Sequence, residues 1–226
     1  MTNANNNVEF YYQPPADNGL DVLYSDDALL VVNKPSGLLS VPGRGKDKQD
    51  CLVSRVQMEF SDALIVHRLD METSGLMVLA RNKMAHRQLS GLFQQRAVQK
   101  HYVAIVDGVL QDETGSIDLP LICDWPNRPR QKVDQQQGKP SRTLFTVLGP
   151  GIDAGSTRVK LVPETGRSHQ LRVHMQSLGH AILGDRFYAS EQALAKSPRL
   201  LLHAALLAFV HPLSAEPLQF VSDVPF

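Results

Sequence analysis

Cysteine is nearly absent. Cys51 and Cys123 are the two thiols in 226 residues, too few and too far apart in sequence for a disulfide framework or a four-cysteine zinc site; both are expected as small core residues. Long apolar runs are missing as well: the longest, such as Ala204 to Val210, fall far short of the roughly 18 residues that suggest a membrane span. Met1 to Asn7 show neither the basic start nor the apolar stretch of a signal peptide, so the expected location is the cytoplasm. Net charge is the third absence, with 23 Lys and Arg against 23 Asp and Glu, which at first sight argues against a polyanionic partner. What remains, 42% hydrophobic and 20% charged residues, describes an ordinary globular chain able to bury a substantial core.

The neutrality hides an uneven distribution. Residues 1 to 72 carry 6 Lys and Arg against 11 Asp and Glu, residues 73 to 186 carry 15 against 9, and residues 187 to 226 carry 2 against 3. Between Arg81 and Val106 there are five cations and no acid. A basic centre suits a polyanion-binding cleft; a solvated helical face balanced by acids from elsewhere in the fold is the alternative.

Periodicity gives a mixture of helices and strands. The Asn- and Pro-rich residues 1 to 19 read as a flexible tail, and residues 20 to 226 as a single domain. Val22 to Tyr24 and Leu29 to Val32 flank Ser25-Asp26-Asp27 as a hairpin. Cys51 to Phe60 and Lys83 to Arg96 have helical spacing, the second with an apolar stripe of Met84, Leu89, Leu92 and Phe93. Further strands are expected at Tyr102 to Val106, Thr143 to Leu148, Arg158 to Val162, Leu200 to Val210 and near Leu218 to Val221. Strands and helices do not alternate regularly, so the expected class is α+β, with a large, mainly antiparallel mixed sheet flanked by helices and loops.

Two segments carry chemistry. Val66-His67-Arg68-Leu69-Asp70, followed by Thr73-Ser74-Gly75 and the apolar run Leu76 to Ala80, places one carboxylate in a turn between two strand-like segments. Such an aspartate caps its own turn in many proteins, and that reading stands beside a reactive one. The second segment, Glu164 to His174, breaks at Gly166, offers Ser168 as an N-cap and continues as a helix through Leu171, Met175 and Leu178. Arg172 lies about 100° round from Leu171, at the edge of the apolar stripe, where a partly buried arginine needs a carboxylate. Asp70 is one candidate; a surface pair with Glu164 or another acid is the other. His169, His174 and His180 are spaced by five and six, unlike the i, i+4 pair of a helical zinc site.

Two further stretches suit RNA. Trp125 to Lys132 is a proline-stiffened loop carrying Arg128, Arg130 and Lys132 beside an aromatic ring, able to track phosphates; ordinary core packing of Trp125 is the alternative. In Lys100-His101-Tyr102, a tyrosine opens a strand beside cations.

His67-Arg68-Leu69-Asp70 with Thr73-Ser74-Gly75, Gly166 to His174, and Ile182-Leu183-Gly184-Asp185 resemble, in order and spacing, the motifs of the RluA-type pseudouridine synthases. The likeness continues through Val31 to Leu38, Leu119 to Lys132 and Leu200 to Ala204, covering nearly everything from about Leu20 onward. It is strongest to the dual-specificity subgroup that modifies 23S ribosomal RNA and the anticodon stem-loop of transfer RNA. Many relatives carry an N-terminal S4-like RNA-binding domain; only about 20 residues precede the core here, which fits that subgroup. The resemblance implies an isomerase that breaks the N1–C1′ bond of uridine, rotates the uracil and rejoins it through C5. It implies Asp70 as nucleophile or base at the ribose, Arg172 as the cation beside it, Tyr102 stacked on the flipped uracil, and Arg68 filling the vacated space. His67, Thr73, Arg128, Arg130, Arg167 and His169 are implied as RNA contacts. No metal, nucleotide or redox cofactor and no membrane is called for, and a monomer is the default. A catalytically silent RNA-binding or ribosome-assembly module and a glycosidase that releases uracil remain as other classes, the former without need of an Asp70–Arg172 pair.

Overall fold

The computed structural model describes residues 12–226. In chain order the elements are β1 (Val22–Ser25), β2 (Leu29–Lys34), α1 (Leu52–Glu59), β3 (Leu64–Ile65), β4 (Ser74–Ala80), α2 (Lys83–Gln94), β5 (Gln99–Asp107), β6 (Thr114–Asp118), β7 (Leu121–Cys123), β8 (Gln131–Val133), β9 (Arg142–Pro150), β10 (Ser156–Pro163), α3 (Gln170–Ser177), α4 (Glu191–Ala195), β11 (Leu202–Val210) and β12 (Pro217–Val221). Ten strands form one sheet in the order β1-β2-β4-β11-β5-β10-β9-β6, with β12 added to β11 and β3 to β4; β7 and β8 pair separately. Every pairing in the large sheet is antiparallel except β4 with β11. The architecture is α+β with a large, mainly antiparallel mixed sheet, as the sequence pattern leads one to expect.

Alternation along β2 and β4 explains where the first two helices sit. Leu30, Val32, Met77 and Leu79 pack with Leu52, Val53 and Val56 of α1, whereas Leu29, Val31, Leu76, Val78 and Ala80 pack with Ala85 and Leu89 of α2. Opposite faces of the same strands are thereby covered, so all seven residues of β4 are buried and the strand reads as one apolar run. The α2 start is set by Asn82, whose side chain accepts the Ala85 N–H at 2.8 Å, the usual N-cap arrangement. On the other half of the sheet, Ala104, Ile105, Val159 and Leu161 pack with Leu171 and Met175 of α3.

Two local expectations change. Of the flexible tail expected over residues 1 to 19, the first eleven lie outside the described residues. From Tyr12 onward the chain is docked without regular structure: the Tyr12 hydroxyl donates to the Asp50 carbonyl at 2.9 Å and accepts the Leu39 N–H at 3.1 Å, and Arg55 donates to the Pro15 carbonyl at 2.7 Å. Hydrogen bonds to distant backbone do this ordering, and composition does not report them. Ser168 is not the α3 N-cap; His169 holds that place in the left-handed region (φ 53°), and Leu178, expected on the buried stripe, is 41% exposed.

The parallel junction lies immediately after the Asp70 turn, where His203 and Ala204 of β11 pair with Ser74 and Gly75. Gly75 has φ +113°, and a Cβ there would collide with the backbone of Ala204, so only glycine lets β4 and β11 approach. Gly75→Ala is expected to lower the unfolding free energy by at least about 2 kcal/mol, from backbone strain and the collision together, measured by urea denaturation.

Candidate active site

The turn from Leu69 to Thr73 is rigid because its backbone groups are taken from below. The Ser40 hydroxyl donates to the Leu69 carbonyl at 2.7 Å and accepts the Leu69 N–H at 3.1 Å; Ser36 donates to the Glu72 carbonyl at 2.7 Å; Gly37 N–H donates to Met71 at 2.9 Å. Lys34, with no exposed surface, gives its ammonium protons to the carbonyls of Pro35, Leu38 and Met71 at 2.7 to 2.9 Å. Burial pulls its pKa down to about 7; the charge of Asp70 opposes that pull and Arg199 adds to it. The turn itself closes through the Thr73 N–H on the Asp70 carbonyl at 3.1 Å. Among the described residues no backbone N–H reaches the Asp70 carboxylate, so its side chain is not spent on the turn.

Opposite stands α3. Arg172, 2% exposed, lies edge-on to Asp185, with Nε to Oδ2 and Nη2 to Oδ1 both at 2.7 Å. Its remaining nitrogen, Nη1, reaches Asp70 Oδ2 at 3.3 Å. Burial disfavours the charge, but the hydrogen bonds and charge of Asp185, with the charge of Asp70, more than offset it and hold the guanidinium above its ordinary pKa. Asp70 is therefore a neighbour of Arg172, while the principal partner is Asp185; Glu164 pairs with Arg142 instead. Asp185 has no exposed surface and also accepts the N–H groups of Phe187 and Tyr188 at 2.9 and 3.3 Å.

His169 Nε2 lies 3.9 Å from the same Asp70 Oδ2. Its Nδ1 meets the Tyr188 hydroxyl at 2.7 Å, and burial lowers its pKa. Gln170 fixes the turn before α3: its carbonyl accepts from Thr165 and from the Arg167 N–H, and its amide donates to the Arg142 carbonyl and Thr143. Between turn and helix opens a cleft of about 110 Å³ lined by Arg68, Asp70, Thr73, Tyr102, Arg167 and Arg172, with His169 beside them. It adjoins a second space of about 450 Å³ that shares Arg68, Asp70, Lys100, Tyr102 and Arg167. Tyr102 is pushed well above its ordinary pKa by burial and by the charge of Asp70, which keeps the phenol protonated. Arg68 is exposed at the rim and, among the described residues, holds no ion pair or hydrogen bond.

Seven of the ten residues singled out from sequence thus share one cleft. His67 turns back into the fold: its Nε2 accepts the Val78 N–H at 3.1 Å, its ring stacks on Phe93 at 4.4 Å, and burial lowers its pKa to about 3. Arg128 and Arg130 stand apart on the loop between β7 and β8. Arg128 lies over the Trp125 ring at 4.9 Å and Arg130 over Tyr188 at 5.5 Å; Trp125 is 65% exposed rather than in the core. His174 is buried against Thr143 and Leu119, and His180 binds the Asp107 carbonyl, so those two histidines face other partners.

A model of the family described as RNA pseudouridylate synthase matches residues 28–177. The chain belongs to the RNA pseudouridylate synthase family. The protein is 57% identical over 206 residues to the dual-specificity RNA pseudouridine synthase RluA of Vibrio parahaemolyticus, covering 90% of this chain and 82% of that one. It is 52% identical over 215 residues to the protein of that name in Escherichia coli K12, covering 95% and 98%. Among solved structures, human RNA pseudouridylate synthase domain containing 1 superposes with a TM-score of 0.77 at 31% identity, over 95% of this chain and 87% of that one. Membership makes the synthase an isomerase acting on RNA. Among its described residues no helix is long and apolar enough to cross a membrane.

Sequence reasoning missed three residues of this synthase's site. Asp185 stands in the sequence only as the end of the Ile182-Leu183-Gly184-Asp185 motif, although an acid closing the apolar run Ala181 to Leu183 is itself a signal of a buried partner. Lys34 and Tyr188 left no such trace, because their partners are set by the fold. The depressed pKa of Lys34 has a measurable sign. Between its folded value of about 7 and its ordinary 10.5 the unfolded chain binds more protons, so unfolding free energy rises with pH across that window. Lys34→Met is expected to flatten that rise, read from chemical denaturation at a series of pH values.

Proposed function

We propose that this chain converts specific uridines to pseudouridine in 23S ribosomal RNA and in the anticodon stem-loop of transfer RNA, with Asp70 as the group that acts at the ribose. The observation carrying the reading is that, among the described residues, the cleft has a single accessible carboxylate, held on one oxygen by the Arg172 Nη1 at 3.3 Å and with no hydrogen bond to Oδ1. A hydrolytic glycosidase generally uses two carboxyl groups because a water must be activated as well; an isomerisation in which nothing enters needs one. The bond from C1′ to N1 breaks, the uracil turns within the cleft, a bond from C1′ to C5 forms, and the proton lost from C5 to solvent is matched by one taken up at N1. The dual substrate rests on the resemblance to the dual-specificity subgroup and on the dual-specificity synthases to which the chain is 52 to 57% identical. Residues 20 to 226 act as one catalytic domain, as a monomer in the cytoplasm, and the redox-neutral reaction calls for no cofactor.

The target base is stacked in its loop and must be extruded, at a cost of a few kcal/mol. Arg68, exposed and without an ion pair or hydrogen bond among the described residues, is suited to fill the gap, since a planar guanidinium stacks on the bases that remain. Tyr102 offers its ring to the uracil. Thr73, Arg167 and His169 contact the flipped nucleotide, while Arg128 and Arg130 follow the backbone, where the exposed Trp125 can stack on a base. His67 acts by holding the Arg68–Asp70 turn against β4.

Two substitutions test these roles. Asp70→Asn is expected to lower tritium release from C5-labelled RNA by more than about a thousandfold with RNA affinity retained; wild-type protein should release tritium and no free uracil, and uracil release would make it a glycosidase. Arg68→Ala is expected to slow turnover by about 10- to 100-fold on a folded stem-loop, in line with the cost of extrusion. The loss should be much smaller on a substrate whose target base is already unstacked; equal losses would remove the wedge role.

A further inference from the structure

Tyr188 lies behind the cleft and, among the described residues, its hydroxyl has two neighbours. It accepts the Gln131 backbone N–H at 2.8 Å and meets His169 Nδ1 at 2.7 Å. Burial pushes its pKa up to about 12, so the hydroxyl keeps its proton. With the Gln131 N–H already occupying a lone pair, that proton has one acceptor at hand, His169 Nδ1. A neutral imidazole has one N–H, so an accepting Nδ1 puts it on Nε2, the nitrogen 3.9 Å from Asp70 Oδ2. The ring is stacked on Phe187 at 5.7 Å and meets Tyr188 edge-on at 5.6 Å.

We propose that Tyr188 is a positioning residue that fixes His169 in the Nε2–H tautomer, so that His169 and Arg172 together direct Oδ2 of Asp70 and leave Oδ1 to the substrate. The proposal deepens the synthase reading and rests on it for its kinetic consequences, whereas the tautomer stands by itself. The charged and titratable groups facing His169 are Asp70, Arg172, Asp185 and Tyr188. Burial keeps the imidazole neutral, with Asp70 opposing and Arg172 assisting, and a donor on Nδ1 blocks the site a second proton would occupy. Without that donor, protonation next to Asp70 becomes easier, and the pKa of His169 rises.

Tyr188→Phe keeps the ring and removes the hydroxyl. Its kcat for pseudouridine formation is expected to fall by about 10- to 100-fold, the scale of a misplaced reacting group. RNA affinity should be retained, and the acidic limb of the kcat profile should move to higher pH. In the RNA-free wild type, nitrogen NMR of labelled histidine should give His169 as the Nε2–H tautomer, and in the variant a mixture of tautomers. The NMR measurement requires neither a variant nor activity, so it separates failure of this proposal from failure of the synthase reading, which would be seen as absent tritium release by the wild type. An Nδ1–H tautomer in the wild type overturns the proposal. So does a variant whose RNA affinity falls while its pH profile stays in place, because loosening of the Gln131 loop alone would produce that result.

Discussion

One guanidinium organises the catalytic face of this protein. Arg172 is almost wholly withdrawn from water, and a charge at that depth persists only where carboxylates replace the lost hydration. Asp185, 13 residues away in sequence, takes one whole edge of it; Asp70, 102 residues away, takes the nitrogen left over. Removing Asp185 would leave a buried cation short of charge, at a cost of about 3 to 5 kcal/mol in comparable buried pairs. The two acids are not equivalent. Asp185 is sealed and immobile, and because it satisfies most of Arg172, Asp70 can remain partly open, with a side chain 27% exposed.

The opposite wall works by a different device. The turn that carries Asp70 is short and irregular, and such turns ordinarily move. Here the segment from Lys34 to Ser40 occupies the carbonyls of Leu69, Met71 and Glu72, and Gly75 locks the outgoing chain against β11. A lysine beneath the turn, charged below its pKa of about 7, and a guanidinium across from it supply positive charge on both sides of a carboxylate. The cleft thus has a local field quite unlike the zero net charge of the whole chain.

Much of this was legible in the chain itself. The apolar runs of β2 and β4, the run of β10 and the Leu89, Leu92 and Phe93 stripe of α2 follow from local pattern, although Met84, expected on that stripe, is 63% exposed, and the reactive segments stand out by composition. What stayed hidden depended on partners. Thr114 to Asp118 reads Thr-Gly-Ser-Ile-Asp, with one strongly apolar residue, and becomes β6 only because β9 offers it a free edge. Ser168 has the better N-cap side chain, yet His169 takes the position; its ring is held by Phe187 and Tyr188, and tertiary contact overrides local preference. Likewise no spacing rule could join Arg172 to Asp185 rather than Asp70, since the angle of a guanidinium is decided by the packing of Phe187 and Tyr188 around it.

The order of the strands has a consequence for how the molecule comes into being. β11, which follows β1 to β10 in the chain, lies in the middle of the sheet between β4 and β5, and its pairing with Ser74 and Gly75 abuts the Asp70 turn. A polypeptide still emerging from the ribosome therefore cannot complete its sheet until β11 has been made, because the central place stays vacant. Translation itself delays the enzyme: the nascent chain has no finished cleft with which to act on the RNAs that surround it at birth.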